Sequence, residues 1–177
     1  MHVSKRVAVT LLTVSALAGS ATAAVTAVAD SGHGNGQGHG NENHGDRGNR
    51  TVLSTSIAPS VPTDPPLFGA AAGGAPWVIA RGEARLKSDG RLEVRIRGLV
   101  IPVAPFAGTA GPVTMVSASL YCGASTTPVG TSSSFPISTN GNARITANLT
   151  LPTKCEVPAL LIHPNGANAV YIATSGF

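Results

Sequence analysis

The chain has 177 residues, 42% of them hydrophobic and 11% charged, with two cysteines and a formal net charge of +4. Setting aside Lys5 and Arg6 in the opening segment leaves ten basic against eight acidic residues. That balance is too small, and too evenly spread along the sequence, to indicate a nucleic-acid-binding protein.

The first six residues form a short positive patch, and Val7 to Ala18 follow without a charge. This is the pattern of a secretory signal peptide: a basic start, an apolar stretch and a small-residue cleavage motif, here Ala27-Val-Ala29. The reading predicts a signal peptide over 1–29, a mature start at Asp30, a secreted protein, and no membrane contact once the leader is cut. A retained anchor is the alternative, but the Gly, Ser and Thr content of Val7 to Ala29 argues against a spanning helix. No cysteine near the cleavage motif could take a lipid.

Residues 31–50 read SGHGNGQGHGNENHGDRGNR. With almost no apolar side chain to bury, the stretch cannot offset the entropy of ordering its backbone. His33, His39 and His44 stand six and five residues apart, and imidazole is a ligand for zinc, copper or nickel. Closing so flexible a chain around an ion costs loop entropy, and nothing nearby would orient the rings. Weak metal binding is expected, with no dedicated cofactor. Residues 51–76 continue with Ser, Thr, Ala and Pro, so the whole of 30–76 is expected to be a disordered linker leading to a single domain over 77–177.

From Trp77 the texture becomes alternating. In Ile79–Lys87 the side chains of Arg81, Glu83, Arg85 and Lys87 share one face. In Leu92–Arg97 the apolar Leu92, Val94 and Ile96 oppose Glu93, Arg95 and Arg97. A two-residue turn at Asp89-Gly90 would pair Lys87 with Leu92 and mix polar with apolar. A three-residue turn, Ser88-Asp89-Gly90, pairs Leu86 with Leu92, Ala84 with Val94, Arg85 with Glu93 and Glu83 with Arg95. It also requires a left-handed Gly90. The charges on this hairpin then read as a solvated, mutually paired face.

Further strands are expected at 113–121, 133–137, 143–151, 159–163 and 169–174, with Pro-rich and Gly/Asn-rich connections and no sustained helical period. The expected fold is all-β, an antiparallel two-sheet sandwich of immunoglobulin-like type. Cys122 closes one of these strands and Cys155 precedes another. An exported chain with two cysteines and no C-x-x-C spacing points to a disulfide between them.

Candidates for chemistry are few. His163 is the domain's one histidine, at a strand end before a Pro-Asn-Gly turn, where a histidine commonly caps a backbone group. Tyr121, Trp77 and Tyr171 offer a small aromatic surface for a glycan or peptide, although packing explains each as well. His163 and Tyr121 are therefore the candidate ligand-binding residues. No catalytic motif of the hydrolase, zinc-protease or nucleotide-binding kinds occurs, and the chain is expected not to be an enzyme.

The segments Ala80-Arg-Gly-Glu-Ala-Arg-Leu86, Asp89-Gly-Arg-Leu-Glu-Val94, Val116-Ser-Ala-Ser-Leu-Tyr-Cys122 and Ala159-Leu-Leu-Ile-His-Pro-Asn-Gly166 resemble those of small secreted actinobacterial proteins, a resemblance that brings no activity with it. More distantly, the G-x-A-x-L and D-G-x-L-x-V opening and the late strand with a single histidine resemble the chordin-type CHRD domain, an extracellular β-sandwich. That family usually carries a His-x-His pair in its central strand, whereas Ser117-Ala-Ser-Leu-Tyr121 carries none. The resemblance thus implies fold alone. The function expected is a secreted, non-enzymatic β-sandwich module that binds an unidentified extracellular or cell-surface ligand or plays a structural part. The alternative is a metal-binding protein using the linker histidines.

Overall fold

The computed structural model describes residues 50–175. The expected signal peptide, the histidines at 33, 39 and 44, and the last two residues lie outside them. Within this range the chain is all-β and has no helix.

The hairpin of β3 (Arg81–Lys87) and β4 (Arg91–Arg97) shows why. Its register is the three-residue one, with Leu86 opposite Leu92, Ala84 opposite Val94, Arg85 opposite Glu93 and Glu83 opposite Arg95. Gly90 has φ +87°, and its N–H donates to the Lys87 carbonyl at 3.0 Å. A Cβ on Gly90 would collide with the Leu149 carbonyl. Gly90→Ala combines a left-handed backbone with that clash, so a loss of roughly 2–3 kcal/mol in urea unfolding is expected; an unchanged midpoint would contradict it.

The remaining strands are β1 (Thr51–Pro59), β2 (Ala71–Ala72), β5 (Met115–Cys122), β6 (Gly130–Thr131), β7 (Phe135–Pro136), β8 (Ala143–Asn148), β9 (Pro158–Pro164), β10 (Val170–Tyr171) and β11 (Ala173–Ser175). Nine of the eleven form one sheet in the order β6-β5-β9-β11-β1-β3-β4-β8, with β7 also on β5. The sheet curls, and an antiparallel bridge between Ile137 and Ala143 links β7's end to the start of β8. β2 and β10 make a separate parallel pair. The hydrogen bonding therefore gives one curled sheet and a two-stranded ribbon where two facing antiparallel sheets were expected.

The reason is β1. Its first part, Thr51 to Ser56, pairs with β3, and its end, Ile57 to Pro59, pairs with β11. One strand thus carries the sheet from one half into the other. This also corrects the linker expectation for 51–76. Thr51–Pro59 lies mid-sheet, Ala71–Ala72 is β2, and Trp77 is buried at the end of the segment rather than starting the domain. Gly82 permits the arrangement: a Cβ there would lie 2.6 Å from Ile57 Cβ and 2.7 Å from Ile79 Cδ1.

Inside the curl, Ala84, Leu86, Leu92, Val94 and Ile96 from the hairpin meet Val116, Ala118 and Leu120 of β5, Ile145 of β8, and Leu160 and Ile162 of β9. Alternation on β3, β4 and β8 leaves their other face in water. On β5 and β9 both faces are buried, because a second, smaller core of Ala70, Tyr121, Leu161 and Tyr171, with Leu67, Phe68 and Ala72 against it, covers the outside of that half.

Candidate functional site

Three places merit a chemical reading: the disulfide, the covered histidine, and the exposed face of β1, β3, β4 and β8.

Cys122 and Cys155 are disulfide-bonded, with their Cα atoms 5.0 Å apart, and tie the end of β5 to the segment before β9. Neither cysteine is free for metal or redox chemistry.

His163 and Tyr121 are not on the surface. His163 is fully buried and Tyr121 is 3% exposed. Tyr121 stacks on Phe68, ring centroids 4.5 Å apart. Tyr171 is buried beside it, and its hydroxyl donates to the Pro65 carbonyl at 2.9 Å. With Trp77 also buried, the aromatic surface suggested by the sequence does not exist. The covering residues 65–72 come from the segment read as coil, which has no periodic pattern to signal that these rings would be roofed over.

Nδ1 of His163 lies 2.7 Å from the Val170 carbonyl. A carbonyl can only accept, so Nδ1 carries the proton and Nε2 of the neutral ring is left as an acceptor. Nε2 has no partner, and neither does the buried hydroxyl of Ser117, the residue directly opposite on β5. Burial lowers the histidine's pKa, with the Val170 bond opposing it. The unfolded ring takes up a proton below about pH 6.5 while the folded ring resists, so the unfolded state binds more protons and stability falls as pH drops. Between pH 6.5 and the carboxylate range, urea midpoints should decline with acid, and His163→Gln should flatten that decline; an equal slope in both proteins would disprove it.

The open face is different in character. Across its register, Arg81 stands opposite Arg97; Glu83 opposite Arg95, and Arg95 opposite Arg144; Arg85 opposite Glu93, and Glu93 opposite Thr146. Lys87 and Arg91 flank the turn. Ser54 and Ser56 extend the rows onto β1, opposite Arg85 and Glu83. Only two glutamates sit among these cations, and both are already engaged. Glu83 accepts from Arg81 at 2.6 Å, and Glu93 from Arg95 and Arg144 at 2.8 and 2.7 Å. The expected cross-strand ion pairs thus give way to pairs along each strand and to one from β8. Hydrogen bonding from Arg81 holds the Glu83 carboxyl below its ordinary pKa, and that from Arg95 does the same for Glu93. Asp89, on the turn, meets Arg91 at 3.3 Å. Arg85 and Arg97 are exposed and have no carboxylate within ion-pair distance among the described residues.

The even spread of charge expected from the sequence is therefore corrected: the sheet gathers most of the described cations onto one side. Grooves of about 610 Å³ along Ser54–Ile57 and Ile79–Arg85, and of about 250 Å³ between Arg81, Glu83, Arg95 and Arg97, open on it. Sequence alternation identified the β3 and β4 contributions. It could not reveal that β8 would bring Arg144 beside them.

Among the described residues no group of three or more His, Cys, Asp or Glu side chains is placed to hold a metal ion. No protein-family model, no curated protein and no solved structure matches this chain.

Proposed function

We propose that the protein is a secreted, non-enzymatic binding module whose working surface is the arginine-rich face of β1, β3, β4 and β8, and whose ligand is anionic. The observation that carries this reading is the surplus of guanidinium groups on one exposed face. Arg81 and Arg97 lie side by side, and both glutamates are already bound. Like charges on neighbouring strands destabilise a sheet, and an anion laid across them relieves that repulsion. Cross-strand spacing of about 4.8 Å and same-face spacing of about 6.8 Å along a strand make a lattice on which repeated phosphate or sulfate groups can be met by forked guanidinium donors.

Nucleic acid is the poorer fit. Trp77, Tyr121 and Tyr171 are all buried, and a half-buried Phe135 beside Arg95, Arg97 and Arg144 is too little aromatic surface for successive bases to stack on. The metal-binding alternative rests on His33, His39 and His44, outside the described residues. His163 is in no position to join them, being buried with Nδ1 engaged.

The test is retention of the intact chain on immobilised polyphosphate across a salt gradient. The parent should bind at low salt and release as screening rises. The double reversal Arg85→Glu/Arg97→Glu should weaken binding about tenfold or more. Both residues are exposed, so the thermal midpoint should hold. Equal retention of parent and variant would remove the face from the function.

A further inference from the structure

From Gly98 to Ala143 the chain has no charged residue, and the first loop in that stretch projects from the end of the arginine face. Residues 102–108, Pro-Val-Ala-Pro-Phe-Ala-Gly, are exposed throughout, with Val103 49% and Phe106 42% accessible. The loop is tied at its base. Ile101 pairs with Thr109, the Gly108 N–H donates to the Ile101 carbonyl at 2.8 Å, and the Phe106 N–H donates to the Val103 carbonyl at 3.2 Å. Its position follows from register. The bridge between Val78 and Val100 continues the β3–β4 pairing past Arg81 and Arg97, and the loop begins directly after it. Val78, 43% exposed, adds to the apolar surface there. An uncharged apolar tip therefore stands next to the end of the face where Arg81, Arg95, Arg97 and Arg144 gather.

Resting on the anionic-ligand reading above, we infer that this end of the molecule docks on an anionic lipid surface. Val103 and Phe106 enter the boundary between headgroups and acyl chains, and the four arginines meet lipid phosphates. A soluble sugar-phosphate or polyphosphate chain satisfies the arginines but offers no apolar phase to the tip. A bilayer offers both, and the two attractions reinforce each other as in other interfacial anchors. The tip is also cheap to desolvate. It carries no charge, Pro102 and Pro105 have no N–H, and the Phe106 and Gly108 N–H groups are already bonded within the loop.

The experiment sediments the intact chain with phosphatidylcholine vesicles, with and without phosphatidylglycerol, beside the polyphosphate column. The expected result is binding to the phosphatidylglycerol vesicles that falls about tenfold or more in Val103→Asp/Phe106→Asp, whose polyphosphate retention is unchanged. In Phe106→Trp, fluorescence should shift to the blue on those vesicles, against a constant background from buried Trp77. Polyphosphate binding without vesicle binding overturns the lipid inference and leaves the arginine face standing. So does vesicle binding that ignores the tip variants and gives no blue shift. Binding to neither surface overturns both readings.

Discussion

A chain ending at Ile172 is expected to lose cooperative folding altogether. Of the five residues removed, Ala173–Ser175 form β11, which lies between β1 and β9 in the middle of the sheet. Ala173 pairs with Pro59 on one side and Ile162 on the other, Thr174 with Ala58 and Leu161, and Ser175 with Ile57. Ser175 Oγ accepts from the Leu160 N–H at 3.0 Å, and Thr174 Oγ1 donates to the Leu160 carbonyl at 3.1 Å. Each buried polar group left unpaired costs about 1–3 kcal/mol. Several at once, together with loss of the strand that joins β9 to β1, exceed the roughly 5–15 kcal/mol by which such domains are stable. Far-UV circular dichroism through a urea titration is the check; a sigmoidal transition in the shortened chain with the parent's slope would refute the expectation.

Opening the disulfide should have the next largest effect that leaves a folded protein. Cys122 and Cys155 are separated by 33 positions, and releasing a loop of that length restores roughly 3–4 kcal/mol of chain entropy to the unfolded state. The ends it joins are otherwise lightly held. The Gly123 N–H donates to the Glu156 carbonyl at 2.7 Å, and Val157 beside them is 74% exposed with φ +47°, a backbone setting that a β-branched residue adopts only at a cost. Cys122→Ser/Cys155→Ser should unfold at a clearly lower urea concentration, with the shift matched by reducing the parent. A midpoint shift worth under about 1 kcal/mol would mean that the strands fix this corner without the covalent link.

The parts of this fold legible from sequence are those that local pattern determines. Alternation and the polarity of cross-strand partners fixed the β3–β4 register and the left-handed Gly90, and export logic paired the cysteines. β1 was illegible because Thr51–Pro59 buries only Ile57 completely. A strand with neighbours on both sides needs few apolar residues, and its Ser and Thr content reads as coil. The same blind spot concealed the roof over Tyr121 and His163, since Leu67, Phe68 and Ala70 fold onto β5 and β9 through tertiary contacts that have no periodic signature. The arginine face was half visible for a related reason: two of its three arginine-bearing strands, β3 and β4, are adjacent in sequence, and the third, β8, starts only at Ala143.

That β1 and β11 are neighbours also governs how the molecule can acquire its structure. The end of β1, Ile57–Pro59, finds its partner in the last described strand, so the contact that joins the two halves closes nearly the whole domain as a single loop. Topologies of this kind, dominated by non-local pairing, fold in milliseconds to seconds rather than microseconds. A partly emerged chain can pair β1, β3, β4 and β8, but no length that stops before β11 can complete the sheet. The domain is therefore completed as one late event, after β11 is free to pair, so a chain held back at its C-terminal end stays unfinished until it is let go.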